Sequence, residues 1–121
     1  MEASILLERF VIYIVPIINP DGVSEGNFRT DSKGNNLNRY YSNPSSTDQP
    51  EIYMIREFLV SMIKMKRIGF CLDLHAHVNK QGAFIYGNSI TNLKGQMQVC
   101  LFPKLLSYHS EYFDYESCNF S

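Results

Sequence analysis

Apolar residues first cluster at Phe10–Ile18 (FVIYIVPII), a run that is typical of a strand buried on both faces. From Glu51 to Lys66 the apolar residues recur at helical spacing, which predicts an amphipathic helix covering a sheet. Gly69–His75 and Ala83–Tyr86 predict two further strands. Strand, helix and strand in this order imply a right-handed crossover and a parallel pair. We therefore expect an α/β fold, the central part of a mixed, mostly parallel sheet with covering helices.

The last third of the chain is less regular. A helix is expected from about Lys94 or Gln96 to Ser107, and Pro103 should limit its regularity. Residues 108–121 are aromatic and acidic, and their pattern assigns no element.

A long polar stretch, Asn19–Tyr41, separates the first predicted strand from the first amphipathic helix. Loops longer than about 15 residues inside compact domains are uncommon and are usually functional or disordered. Disorder fits poorly here, because the stretch contains its own apolar anchors, Phe28, Leu37, Tyr40 and Tyr41. It also carries Arg29 and Arg39, and a shaped loop with two fixed cations predicts an anion-binding site.

The two arginines point to recognition of a carboxylate. A guanidinium keeps its charge, and its planar fork matches a carboxylate with two parallel hydrogen bonds. Asn38, directly before Arg39, adds an amide donor that suits capture of a terminal carboxylate. Arg29 suits a separate role as a cation beside a developing oxyanion. The alternative is that both arginines form salt bridges with acidic residues of the loop itself, namely Asp21, Glu25 or Asp31.

His75 lies where a predicted strand gives way to a polar segment, the usual place for functional groups in α/β folds. Asp73 and His77 share its strand parity, so all three side chains are expected on one side. One interpretation makes His75 a metal ligand whose ring is oriented by a nearby carboxylate. The other makes it a hydrogen-bonded, half-buried histidine at the end of a strand.

Composition adds limits. The 121 residues are 45% hydrophobic and 19% charged, as in globular proteins, and amount to at most one domain. The formal charge is −1, yet residues 26–110 carry ten Lys/Arg against five Asp/Glu, which suits an acidic partner. The three cysteines form no CxxC pair, and no apolar run approaches the ~20 residues of a membrane span. We expect a cytoplasmic protein, with the nucleus as a second compartment, and neither nucleic acid nor membrane as a partner.

Four blocks in order carry a resemblance to a known family: NPDG at 19–22, GNFRTDSKGNNLNR at 26–39, DLHAH at 73–77 and FIYGN at 84–88. Together they resemble the zinc metallocarboxypeptidases, and within them the cytosolic carboxypeptidase branch, over nearly the whole chain. The resemblance implies a zinc carboxypeptidase-like fold and a zinc cofactor. In this family zinc activates a water molecule, and a glutamate acts as general base and then as acid.

The resemblance also implies roles for individual residues. By the family pattern, His75 corresponds to the third zinc ligand. Arg29 corresponds to the arginine that polarises the scissile carbonyl and stabilises the tetrahedral intermediate. Asn38 and Arg39 correspond to the pair that holds the C-terminal carboxylate of the substrate. Members of this branch remove glutamates from the tails or side chains of tubulin and other acidic proteins, so glutamate-rich protein tails are the implied partners.

The chain departs from the family pattern in three places. The H-x-x-E motif that supplies the first two zinc ligands is absent, because none of His75, His77 and His109 has Glu three residues later. No position matches the catalytic glutamate, and Ala76 stands where the family motif has Gly. We therefore expect residues 1–121 to be a partial zinc carboxypeptidase domain, cut at both ends. Since catalytic zinc needs three protein ligands, the chain alone should have no peptidase activity.

Two other interpretations remain open. The loop with the two arginines could bind acidic tails or C-terminal carboxylates without cleaving them, which would make the chain a non-catalytic binding module. Alternatively, the chain is a truncated product that does not fold stably, because part of a sheet exposes apolar faces meant for missing elements.

Overall fold

The computed structural model describes residues 2–121, in which α-helices are the main regular elements. They are α1 (Glu2–Arg9), α2 (Pro20–Ser24), α3 (Pro50–Lys64) and α4 (Leu93–His109). The chain divides into two compact units, Met1–Cys71 and Leu72–Ser121. In the described part of the chain, no helix combines the length and the apolar character that crossing a membrane requires.

Helix α3 confirms the helix predicted from Glu51 to Lys66 and carries the core of the first unit. Pro50 occupies its first turn, where the missing N–H has no intrahelical partner to lose. Ile52 of this helix is 1% exposed and Leu37 is 6% exposed, so these two side chains are the most deeply buried apolar groups of the unit. Farther along α3, Phe58 meets Tyr13 edge to face, with 5.1 Å between the ring centroids. This ring contact joins α3 to the segment that precedes the loop.

The predicted strand Phe10–Ile18 is exposed, contrary to the expectation that both of its faces are buried. Val11 and Ile14, for example, are 77% and 78% exposed. No strand pairs with this segment within residues 2–121, so both faces meet solvent. Gly69–His75, also predicted as a strand, is irregular. Because the described residues contain isolated bridges and no sheet, the α/β sheet stays a prediction.

A short parallel pairing organises the second unit. Ala83 bridges to Phe113, and Tyr86 bridges to Asn119. Helix α4 lies between these two segments in the sequence, as expected, since parallel strands need a crossover of a dozen or more residues. The aromatic and acidic tail, to which the sequence pattern assigned no element, thus becomes the partner of the third predicted strand.

Helix α4 is longer at both ends than the helix predicted from the sequence. It begins at Leu93 because the Asn92 side chain caps it, accepting a hydrogen bond from the N–H of Gly95 at 2.7 Å. Pro103 is buried inside the helix. The helix continues through it to His109, although proline removes one backbone hydrogen bond.

Replacing Ile52 by alanine should lower the free energy of unfolding by about 2 to 5 kcal/mol, because it leaves a cavity at the most buried position of α3. Urea denaturation followed by circular dichroism measures the change. Met54→Ala is the matched control in the same helix, since Met54 is 65% exposed and its truncation should cost about 0.5 kcal/mol or less. Equal losses in the two variants would contradict the packing described for α3.

Candidate functional site

The arginine loop, residues 19–41, is folded onto itself by side-chain hydrogen bonds. The Oδ1 atom of Asn19 accepts from the N–H of Gly22 at 3.2 Å and so caps α2. Its Nδ2 atom donates to the carbonyl of Thr30 at 2.8 Å. One side chain therefore links the start of the loop to Thr30, the residue that follows Arg29, and the loop folds back on itself.

Gly22 serves a close approach of two backbone segments. The sequence Asn-Pro-Asp-Gly at 19–22 is typical of a turn, in which a glycine can take a positive φ. Instead, the segment forms the start of α2, and Gly22 is not among the residues with positive φ. A Cβ atom at this position would clash with the Thr30 carbonyl oxygen and with the Asn19 side chain. Only glycine fits there without a shift of the loop.

Asp31 organises a tight turn, residues 31–35, which we call the Asp31 turn. Its carboxylate accepts from the N–H of Lys33 at 2.9 Å, from the N–H of Asn35 at 2.7 Å and from Asn35 Nδ2 at 3.0 Å. The side-chain hydrogen bond from Asn35 is the main cause that lowers the pKa of the Asp31 carboxyl below its usual 3.8. Because the folded-state pKa is depressed, the turn stabilises the fold above pH 3.8. That contribution is lost as the pH falls through the folded-state pKa.

The three site candidates of the loop are exposed: Arg29, predicted as catalytic, and Asn38 and Arg39, predicted as substrate-binding. Within residues 2–121 neither arginine lies at ion-pair distance from a carboxylate, so the alternative of salt bridges inside the loop is wrong. The Asp31 carboxylate is occupied by its own turn. Arg39 Nη1 donates to the adjacent carbonyl of Asn38 at 3.2 Å. Two guanidinium groups are therefore available to a ligand.

A 3-10 turn, Leu37–Arg39, presents the second arginine. Leu37 is 6% exposed and anchors the loop as predicted, whereas Phe28 is 97% exposed and anchors nothing. In a 3-10 turn successive side chains point in directions about a third of a turn apart. With Leu37 directed inward, Asn38 and Arg39 lie on the solvent side.

His75 and Asp73 form the pair that the sequence predicted. His75 Nε2 lies 3.0 Å from Asp73 Oδ2, and both side chains are about half exposed. A carboxylate that engages one ring nitrogen leaves the other, Nδ1, for a metal. His77 is placed differently: its Nδ1 accepts from the N–H of Asn79 at 3.2 Å, and its Nε2 lies 3.5 Å from the Tyr86 hydroxyl. Of these two histidines, only His75 offers a ring nitrogen in this way.

The described residues do not complete a zinc site. Residues 2–121 contain no group of three or more His, Cys, Asp or Glu side chains placed to hold a metal ion. A catalytic zinc has three protein ligands and an open position. His75 is therefore a single candidate ligand, and the residues present do not fit a complete catalytic zinc centre.

The contacts by which Asn19 and Asn35 shape the arginine loop were not predicted from the sequence. The substrate-binding candidates all lie in the arginine loop of the first unit, and His75 belongs to the second unit. Asn19 was expected only as part of a turn and Asn35 had no predicted role, yet both side chains shape the loop. Signals for both were present, since Asn before Pro opens a turn or caps a helix. Asp followed by Gly and Asn is typical of side-chain-stabilised turns.

Known proteins match nearly the whole chain in sequence. The chain is 35% identical to cytosolic carboxypeptidase 6 of Homo sapiens over 121 residues, covering 98% of this chain and 24% of the relative. It is 32% identical to cytosolic carboxypeptidase 2 of Mus musculus over 120 residues, covering 98% of this chain and 14% of the relative. No protein-family model matches. The chain thus spans about a quarter or less of the length of the curated relatives it matches.

A third relative differs in spacing. Cytosolic carboxypeptidase-like protein 5 of Homo sapiens is 26% identical over 205 residues, covering 99% of this chain and 23% of the relative. The stretches RTDSKGNNLNRYY and CNFS favour this protein within the branch. The match confirms the branch, whereas the identity is lower than the 35% and 32% found for carboxypeptidases 6 and 2. Because the chain has only 121 residues, part of the aligned region of that relative has no counterpart here. The alignments with carboxypeptidases 6 and 2 need no such stretch, so the spacing of this chain follows theirs.

Replacing Gly22 by alanine should lower the free energy of unfolding by about 1 to 3 kcal/mol, because the added methyl group forces Thr30 and Asn19 apart. Thermal unfolding followed by circular dichroism provides the measurement. Gly69→Ala is the matched control in the same unit, since a Cβ there meets nothing within 4 Å. If both variants melt together with the unmodified chain, the close approach at Gly22 is not formed.

Proposed function

The chain belongs to the cytosolic carboxypeptidase family, and from this premise we propose that its arginine loop binds the C-terminal carboxylate of a protein substrate for metallocarboxypeptidase hydrolysis. The observation that carries the proposal is the pair of exposed guanidinium groups without a carboxylate partner among residues 2–121. An incoming carboxylate can bind them without first breaking an internal ion pair.

Arg39 and Asn38 are assigned the terminal carboxylate. Both lie at the solvent side of the 3-10 turn and are consecutive, so a guanidinium and an amide are offered from one backbone segment. A guanidinium binds a carboxylate through two parallel hydrogen bonds, and the amide N–H group adds a third donor. This set of donors distinguishes a free C-terminus from an internal peptide bond, which carries no charge.

Arg29 and His75 are each assigned a separate role. The guanidinium of Arg29 would stabilise the negative charge that develops on the scissile carbonyl oxygen. His75, its ring engaged by Asp73, would be one ligand of a zinc ion. No further ligand set and no general base is identified in residues 2–121, so the steps assigned to this chain are binding and orientation.

The proposed substrates are glutamate-rich protein tails, such as those of tubulin, with glutamates removed from C-termini or branches. Residues 26–110 carry ten Lys/Arg against five Asp/Glu, which supports an acidic ligand. The relatives are named cytosolic carboxypeptidases, and we propose the cytoplasm as the working compartment.

A second candidate function is a non-catalytic module that binds acidic tails or C-terminal carboxylates. The observation that favours it is the contrast between the arginine loop, which is fully formed, and the zinc site, for which the described residues offer one candidate ligand. The two functions share the same carboxylate contacts and differ in whether the bound peptide is cleaved.

Arg39→Ala should weaken binding of a glutamate peptide with a free C-terminal carboxylate about tenfold or more. Hydrogen bonds to charged groups contribute about 1.5 to 3 kcal/mol, and about 1.4 kcal/mol is a factor of ten. Binding of the C-terminal amide of the same peptide should not change. Isothermal titration calorimetry with both peptides measures this.

The matched control is Arg56→Ala, which removes an arginine of the same unit that already pairs with Glu57 at 3.0 Å. It should leave both affinities unchanged. Equal binding of acid and amide by the unmodified chain would contradict carboxylate recognition.

The 121-residue chain supplied with zinc should release no glutamate from such a peptide, because one candidate ligand cannot hold a catalytic zinc with an open position. Mass spectrometry of the peptide after incubation detects shortening by single residues, and a chelator-treated sample is the control. Zinc-dependent shortening would contradict this expectation and would exclude the non-catalytic alternative.

A further inference from the structure

Asp31, Asn35 and Tyr40 form a hydrogen-bonded series that connects the two arginines of the loop. Asp31 lies two residues after Arg29, and Tyr40 directly follows Arg39. We infer that Asn35 is a positioning residue, which sets the placement of the two guanidinium groups and thereby the preference of the loop for a free carboxylate. The inference deepens the proposed function and rests on it.

Each contact of the series involves Asn35. Asn35 donates from Nδ2 to Asp31 Oδ2 at 3.0 Å and from its backbone N–H to Asp31 Oδ1 at 2.7 Å. The backbone N–H of Asp31 in turn donates to the carbonyl of Asn35 at 2.9 Å. The Tyr40 hydroxyl lies 3.4 Å from Asn35 Oδ1, at the long end of hydrogen-bond distance. Asn35 therefore contacts Asp31, two residues after Arg29, and Tyr40, directly after Arg39.

The charge of Asp31 determines how the Asn35 amide is oriented. An ionised carboxylate only accepts hydrogen bonds, so the NH₂ group of Asn35 must face it. The amide oxygen is then left to face the Tyr40 hydroxyl, which can donate. Since Asp31 is 8% exposed, water has little access to replace these partners. The arrangement of donors and acceptors therefore allows only one orientation of the Asn35 amide between Asp31 and Tyr40.

The same contacts keep Asp31 from neutralising an arginine. This carboxylate lies closest in the sequence to Arg29, yet its oxygens take three N–H groups of the Asp31 turn. Within residues 2–121 it forms no ion pair. Without the Asn35 side chain, Asp31 Oδ2 would lose its partner and would compete with the substrate carboxylate for a guanidinium.

The test exchanges the two side chains in the full 121-residue chain. In Asp31→Asn, an NH₂ group at position 31 faces the NH₂ group of Asn35, so two donors meet. In Asn35→Asp, two carboxylates face each other, so two acceptors meet. The double variant, Asp31→Asn with Asn35→Asp, restores a donor opposite an acceptor at unchanged net charge. The readout is the ratio of affinities for a glutamate peptide with a free C-terminal carboxylate and for its amide. The ratio should fall about tenfold in each single variant, and it should return most of the way to the value of the unmodified chain in the double variant.

Asp48→Asn is the matched control. Its carboxylate is exposed and accepts from the Ser45 hydroxyl at 3.0 Å, outside the arginine loop, so the ratio should stay unchanged. Thermal unfolding identifies a variant that does not fold. A double variant that folds without regaining the preference overturns the inference, as does a single variant that folds and keeps it.

Failure of the proposed function has a different signature. In that case the unmodified chain binds acid and amide equally, and the positioning role is judged without ligand. The backbone amide resonances of Arg29 and Arg39 in isotope-labelled protein should then shift in the single variants and return in the double variant. Resonances that do not move in the single variants overturn the positioning role itself.

Discussion

The hydrogen bonds that satisfy the Asp31 carboxylate are the constraint on which the arginine loop depends. A charged group with 8% exposure is costly to bury unless it is hydrogen-bonded, and here three N–H groups of the following four residues supply the bonds. Ordering a loop of this length costs conformational entropy. The Asp31 turn, the Asn19 contact with Thr30 and the burial of Leu37 offset that cost at three separate points.

Hydrogen bonds within a turn also satisfy acidic groups, so a chain with a formal charge of −1 keeps two exposed arginines without carboxylate partners among residues 2–121. Acidic residues that bind their own turns are not available to arginines, so the guanidinium groups remain free for a ligand. The second unit uses the same arrangement, since Asp114 accepts from the N–H of Ser117 at 3.2 Å and from its hydroxyl at 2.5 Å. The Ser117 hydroxyl is the main cause that lowers the pKa of Asp114.

The apolar surface is less completely satisfied than the polar groups. Phe10–Ile18 exposes side chains on both faces, and an apolar cavity of about 330 Å³ in the second unit is lined by residues that include Leu74, Phe102 and Phe113. The curated relatives are about four or more times longer than the matched region. A metal centre needs ligands from several segments, and a sheet needs several segments to cover its faces. The same reason therefore accounts for the single candidate zinc ligand and for the exposed apolar side chains among the described residues.

The sequence by itself determined the features that depend on neighbouring residues. Helical spacing located α3 and α4, and the ordered motifs indicated the family. Residue chemistry predicted Arg29, Asn38, Arg39 and His75 as site residues. Only the tertiary structure decided which groups meet across the chain. It paired the tail with Ala83 and Tyr86, made Gly22 a close contact of Thr30, and left the arginines without carboxylate partners. Periodicity and turn chemistry act over a few residues, whereas the partner of a backbone group or a charge depends on distances between positions far apart in the sequence.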